Sequence, residues 1–212
     1  MRSRWLGVGA VLAAALLSVV FWSRLPEQVP THWNLRGEPN DWSSRGWAVL
    51  FGPGLMLGVV MLGHVLPRID PRRRNYPAFR RVYWLVINSV VLLIFLIHAI
   101  MLGSAAGMDF RVPHVLAFGI ALLLIVFGNY MGRIRPNWFM GIRTPWTLDS
   151  EAVWRKTHRL AGWLFVAAGV IAGLAVFVPV GDPLVVVLVT TMAAAIVPAV
   201  LSLVFWLRER RS

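Results

Sequence analysis

Apolar residues in this chain come in long unbroken runs set apart by short polar stretches, without the three-and-four spacing of a one-sided surface helix. Six runs can be read, at roughly 5–22, 47–66, 82–102, 114–131, 160–180 and 184–207, and none contains Asp, Glu, Lys or Arg. Each is long enough as a helix to cross a hydrocarbon layer about 30 Å thick. The pattern predicts an all-α, polytopic membrane protein with six transmembrane helices. The first run follows "MRSR" and ends in "FWSRLPEQ", with no small-residue cleavage site, so a retained helix is expected rather than a secretory signal.

Composition agrees: 58% of the 212 residues are apolar and only 14% charged, too few to cover a water-soluble surface. The net charge of +12 changes the picture more. Of the 21 Lys and Arg, 17 fall in the N-terminus (Arg2, Arg4), the 67–81 and 132–159 connectors and the C-terminal tail. The other four lie in the 23–46 and 103–113 connectors, and the turn around Asp182 has none. Because basic connectors stay in the cytosol, both termini are expected on the cytosolic side of the membrane. The charge then serves orientation and contact with membrane lipids, and no direct nucleic-acid partner is expected. The chain has no Cys, which excludes disulfides, thiol catalysis and Cys-based metal sites.

Within the runs polar residues are sparse: His64, Asn88, His98 and Asn129, with His114 at an outer edge. The lack of ionisable pairs near the midplane argues against an ion-coupled transporter, and Asn88 and His98 are expected to bond between helices. "GPG" at residues 52–54 predicts a kink in the second helix. A short echo relates "RIDPRRRNY" from Arg68 to "RIRPNWF" from Arg133, which would make helices 2–3 and 4–5 parallel repeats.

Two connectors carry more than a link requires. The outer one, "LPEQVPTHWNLRGEPNDWSSRG", has Pro26, Pro30 and Pro39 against helix and Asn34, Gly37, Asn40 and Asp41 for turns. It predicts a rigid surface hairpin with Trp33, Trp42 and Trp47 at headgroup level, and the spacing of His32, Glu38 and Asp41 fits no metal motif. The inner one begins "GNYMGRIRPNWFMGIRTPW", expected as an ordered non-helical excursion. Asp149 is then expected to cap a helix in which Glu151 pairs with Arg155, and Trp154, His158 and Ala161 share one face. Topology needs charge, but not Asn137, Gly141, Thr144, Pro145 and two Trp.

Residues 128–165, with their near-continuous "GIRTPWTL" and "VW..THR", closely resemble the signature region of the SdpI family of bacterial immunity proteins. The outer connector resembles the N-terminal domain that accompanies it, in the pattern P.H.N..G.P..W. The resemblance implies protection against a secreted antimicrobial peptide toxin. It also implies a sensor that sequesters a cytosolic repressor protein when toxin is present. Carried over, the inner binding candidates are Asn129, Arg133, Pro136, Asn137, Gly141, Arg143, Thr144, Pro145, Trp146, Trp154, Thr157, His158 and Arg159. The outer candidates are Pro30, His32, Trp33, Asn34, Gly37, Pro39 and Trp42. The chain divides into an N-terminal membrane region, 1–67, and an SdpI-like membrane region, 68–212. No catalytic residue, metal or cofactor is assigned. A membrane-embedded enzyme using the inner Arg–Thr–His–Trp loop, and a lipid- or peptide-handling transporter, are the alternatives.

Overall fold

The computed structural model describes residues 3–34, 36–178 and 181–211. Arg2 and the end of the fifth predicted run, Pro179 and Val180, lie outside them, as does Leu35 of the outer connector. Six helices are long and apolar enough to cross a membrane: α1 (Ser3–Phe21), α2 (Arg45–Ile69), α3 (Tyr76–Ala105), α4 (Val112–Met131), α6 (Glu151–Ala175) and α7 (Pro183–Glu209). Leu12, Leu16, Val19, Trp163, Leu174 and Val200 are each more than half exposed on them, a surface that only lipid would cover. The chain is a multi-pass membrane protein.

The structure adds one short helix, α5 (Pro145–Asp149), and a two-stranded antiparallel hairpin of β1 (Gln28–Trp33) and β2 (Pro39–Ser44). The hairpin is the one expected from its turn residues. Asn34 Oδ1 accepts from the amides of Arg36 and Glu38 at 2.9 and 3.0 Å. Gly37 adopts φ +81°, a conformation that side chains disfavour. Register runs from Gln28 opposite Ser44 to Trp33 opposite Pro39, irregular on both sides of His32. Buried Leu25 and Val29 seat the hairpin on Ala48, Val49, Met101 and Leu102 at the ends of α2 and α3.

Helices α1, α2 and α3 pack together, as do α4, α6 and α7, and α3 meets α4 between the groups. Between α4 and α6 the backbones nearly touch: a Cβ at Gly128 would lie 2.6 Å from the Gly162 carbonyl oxygen. Small residues allow this approach where no water-driven force holds helices together.

Two prolines shape α2. Pro53 has no N–H, so the Val49 carbonyl four residues earlier loses its helical donor. Ser18 of α1 supplies one, its hydroxyl donating to Val49 O at 2.9 Å. That hydroxyl has a single proton, so it accepts from the His98 Nε2–H of α3, also at 2.9 Å. Pro67 likewise frees the Gly63 carbonyl, and the Tyr83 hydroxyl of α3 donates to it at 2.9 Å. His98 thus bonds between helices, as expected. Asn88 packs close to α1, 3.0 Å from where a Cβ of Gly7 would stand.

Three boundaries differ from expectation. The 67–81 connector shrinks to Asp70–Asn75, because α2 runs on to Ile69 and α3 begins at Tyr76. Pro77 is tolerated in the first turn, and a break at Phe79 (φ −127°, ψ 20°) follows it. Residues 145–149 form α5 rather than irregular chain, because Thr144 caps them and Pro145 takes the first helical position. The cap of α6 is Ser150, whose Oγ accepts from the amides of Ala152 and Val153; Asp149 ends α5 instead.

The junction at Pro53 can be tested. Gly52→Ala would place a Cβ 2.3 Å from His98 Nδ1. It should lower stability in detergent by about 1–3 kcal/mol, as overpacking does. Ser18→Ala should cost about 0.6 kcal/mol, typical of one interhelical bond. Gly54, with nothing within 4 Å of its Cβ position, is the control. Thermal unfolding of the purified variants checks the order Gly52→Ala, Ser18→Ala, Gly54→Ala; equal effects at positions 52 and 54 would refute this packing.

Candidate functional site

The signature loop is built around three buried polar side chains. Asn137 Oδ1 accepts from the amides of Phe139 and Met140 at 2.9 and 2.7 Å. Its Nδ2 donates to the carbonyls of Arg135 and Met140 at 2.9 and 3.1 Å. A single amide therefore folds the 135–140 turn. Thr147 closes a capping box with Thr144, and its hydroxyl also reaches the Ile142 carbonyl at 2.9 Å.

His158 is the third. The Ile142 amide donates to its Nε2 at 3.1 Å, so Nδ1 carries the proton and donates to the Trp154 carbonyl at 2.9 Å. The ring stacks on Trp154 with centroids 3.9 Å apart, and Trp154 Nε1 donates to the Ile134 carbonyl at 2.8 Å. Gly141, at φ +99°, lets the loop cross the imidazole, since a Cβ there would sit 2.3 Å from Nε2. The shared face of Trp154, His158 and Ala161 is as expected, and so is the Glu151–Arg155 pair, at 3.7 Å.

Other elements lock the loop in place. From α7, buried Ser202 Oγ receives the Trp146 indole N–H and lies 3.1 Å from Thr144 Oγ1. Trp206 Nε1 donates to Asp149 at 2.7 Å, and Arg210 pairs with the same carboxylate at 3.7 Å. From the α2–α3 connector, buried Asp70 accepts from the Tyr76 hydroxyl at 2.8 Å and the Trp138 amide at 2.9 Å through Oδ2. Its Oδ1 accepts from the Arg72 amide at 2.7 Å. Asn75 Nδ2 donates to the Pro136 carbonyl at 2.7 Å, and the Arg72 guanidinium donates to the Leu148 carbonyl. The two segments that echo each other in sequence thus lie in contact.

The structure brings Pro136, Asn137, Gly141, Thr144, Trp146, Trp154 and His158 into one network. It leaves Asn129, Arg133 and Arg159 exposed, Arg133 lying 5.3 Å from the Tyr130 ring. Arg143 and Pro145 are also exposed, Arg143 donating to the Trp138 carbonyl at 2.5 Å. Thr157 is buried, and among the described residues its hydroxyl has no partner. Asp70, Asn75, Thr147 and Ser202 were absent from the expected set. Asp70 had a signal, as the one acid within an arginine-rich connector; Ser202 had none.

At the opposite end, His32 bonds Asn40 at 2.5 Å, Glu38 accepts from Asn34 at 2.9 Å, and Asp41 accepts from the Trp42 amide at 2.9 Å. Each is thus engaged separately. Pro30 pairs with Trp42 across the strands, Trp33 packs on the core, and Pro39 is exposed. Gly37 lies against α4, with a Cβ position 3.1 Å from Pro113. Trp42 and Trp47 are 51% and 59% exposed, an aromatic surface fit for an amphipathic molecule.

Two substitutions test the inner network. Gly141→Ala combines positive-φ strain, about 1–2 kcal/mol, with a clash on His158. Asp70→Ala leaves the Trp138 amide and Tyr76 hydroxyl unpaired, at roughly 1–3 kcal/mol each. Both should expose residues 137–149 to protease while the helices stay protected, as limited proteolysis in detergent would show. Resistance equal to that of the unaltered protein would mean that neither contact holds the loop.

Residues 133–202 match the sequence model of the SdpI/YfhL protein family, and residues 9–57 match a domain of unknown function, DUF1648. The chain is 25% identical to the Immunity protein SdpI of Bacillus subtilis (strain 168), over 95% of this chain and 94% of that protein. It is 28% identical to an uncharacterized protein of Archaeoglobus fulgidus, over 58% of this chain and 84% of the relative. No solved structure matches. The stretch that folds around Asn137 and His158 and docks on Ser202 is therefore the part of this chain that matches the SdpI/YfhL family model, and it follows an N-terminal region that matches DUF1648.

Proposed function

We propose that this is a membrane immunity protein that protects the cell producing it against a secreted antimicrobial peptide toxin. The likeness to the Bacillus subtilis immunity protein along nearly the whole chain carries this reading. The exposed Trp42 and Trp47 support it, because a peptide entering the bilayer from outside meets the headgroup layer first. Pro30, His32, Trp33, Asn34, Gly37 and Pro39 then serve to shape the surface that presents them. On the inner side, Arg143, Pro145 and Arg159 are the candidates open to a partner, with Trp138 exposed beside them. Asn137, Trp154 and His158 shape that surface from within.

The finer reading adds a sensor: toxin on the hairpin face changes the inner loop, which then retains a cytosolic repressor. It requires two helix arrangements that differ in toxin affinity. Pro53 is a point where α2 is held through Ser18 and His98 rather than its own backbone, and the arrangement could change there. Among the alternatives, an enzyme using His158 as a base would need a free ring nitrogen, and both are bonded to the backbone.

The proposal fixes an orientation, hairpin outside and signature loop in the cytosol. The chain has no Cys, so single cysteines report cleanly. Trp42→Cys should react with a membrane-impermeant maleimide in intact cells, and Lys156→Cys only after permeabilisation; the reverse pattern would overturn the orientation. For protection, susceptible bacteria expressing the chain should survive several-fold higher doses of at least one secreted membrane-active peptide. Loss of that survival in Gly141→Ala, at equal membrane level, would tie it to the loop. Equal killing with and without the chain, across a broad panel of such peptides, would sink the immunity reading.

A further inference from the structure

Beside the signature loop, on the side away from α7, lies a cavity of about 680 Å³ between the start of α3 and the 132–136 turn. Arg80 and Arg81 line it from α3, Arg133 and Arg135 from the turn, and Arg155 from α6. Glu151 is the one lining carboxylate, and it is engaged by Arg155. Among the described residues, Arg80, Arg81, Arg133 and Arg135 have no carboxylate within ion-pair distance. Four guanidinium groups around one concavity repel each other, and orientation in the membrane requires basic residues in the connectors but not their convergence on one cavity.

The floor is different in kind. Phe79, Val82 and Ile134 are its buried apolar lining, and Val82 opens the stretch of α3 that holds no Asp, Glu, Lys or Arg. The cavity therefore sits where the helices leave the apolar layer, with a cationic rim above and a hydrocarbon floor below. The break at Phe79 kinks α3 within the segment that lines the cavity. Planar guanidinium forks match the oxygens of a phosphate.

We propose that this cavity binds the phosphate headgroup of an anionic phospholipid, with the glycerol and first acyl carbons on the apolar floor. A soluble phosphate would use the rim but leave Phe79, Val82 and Ile134 in water, so a lipid is the better match. The site is separate from the hairpin face and borders the signature loop through Ile134 and Pro136, whose backbone carbonyls that loop's network engages, and the assignment holds whether or not the chain protects against a toxin.

The test uses the full chain, purified in a neutral detergent and mixed with phosphatidylglycerol or phosphatidylcholine of the same acyl chains. Native mass spectrometry counts retained lipid. Phosphatidylglycerol should be retained several-fold over phosphatidylcholine. Arg81→Gln and Arg135→Gln should each weaken that retention about fivefold, the worth of roughly one cation near an anionic headgroup. Arg74→Gln and Arg211→Gln, of equal charge change outside the cavity, should not. A lipid-dependent rise in unfolding temperature, lost in the same two cavity variants, gives a second readout. Equal retention of both lipids, or equal loss in the control variants, would overturn the proposal. Displacement by glycerol phosphate alone, at concentrations comparable to the lipid, would overturn the assignment to a lipid.

Discussion

Inside a bilayer no water is at hand to bond an orphaned carbonyl, so any backbone group that a helix cannot satisfy must be satisfied by a neighbour. That constraint organises the α1–α3 bundle. Pro53 and Pro67 each open one gap in α2, and each gap is filled by a hydroxyl from another helix, Ser18 or Tyr83. The first repair recruits a further partner, His98, whose ring fits only because residue 52 has no side chain. Proline, glycine, serine and histidine on three helices thus form one unit. What reads along the chain as a flexible "GPG" is, in space, the point where α1, α2 and α3 are tied together.

The same accounting holds at the signature end, where the groups are loop amides rather than helix carbonyls. A turn of this length between α4 and α5 exposes many N–H and C=O groups close to the apolar layer. Asn137 satisfies four of them alone, and His158 one more, the Ile142 amide. A carboxylate from the α2–α3 connector and a serine from α7 bring the turn against both helix groups. The side chains that make this region chemically dense are for the most part used in holding it. That is the physical reason a crowded polar loop need not be a reactive one: His158 and Asn137 have little capacity left for a ligand.

What the sequence made legible follows from the range of each interaction. The six spans, the hairpin, the Glu151–Arg155 pair and the Trp154–His158 face depend on neighbours a few residues apart, so local pattern reveals them. Asp149 was the expected cap of α6, but Ser150, an equally good capping residue, takes that position, while Trp206 and Arg210 engage the Asp149 carboxylate. The helix at 145–149 was hidden for a related reason. Pro145 reads as a breaker unless Thr144 caps it, and Thr144 does so in a reciprocal pair with Thr147. Asp70 and Ser202 bond partners tens of residues away, and no periodicity reports that.

The two ends of the molecule therefore differ in what they leave unspent. At the hairpin end, strand pairing and the Asn34 turn satisfy the backbone, and the exposed aromatic side chains include Trp22, Trp42 and Trp47, which are amphipathic and uncharged. At the signature end the backbone is satisfied from within, and the exposed remainder is mostly arginine. A surface of exposed tryptophan selects for molecules that partition into the headgroup layer, whereas one of unpaired guanidinium selects for phosphate or carboxylate. The uniform apolar belt between them gives no binding chemistry of its own. Under the proposed sensor reading a signal passing from one end to the other would travel as a shift of helices, and at Pro53 such a shift would act on the Ser18–His98 tie, where side chains do the work of the missing helical bond.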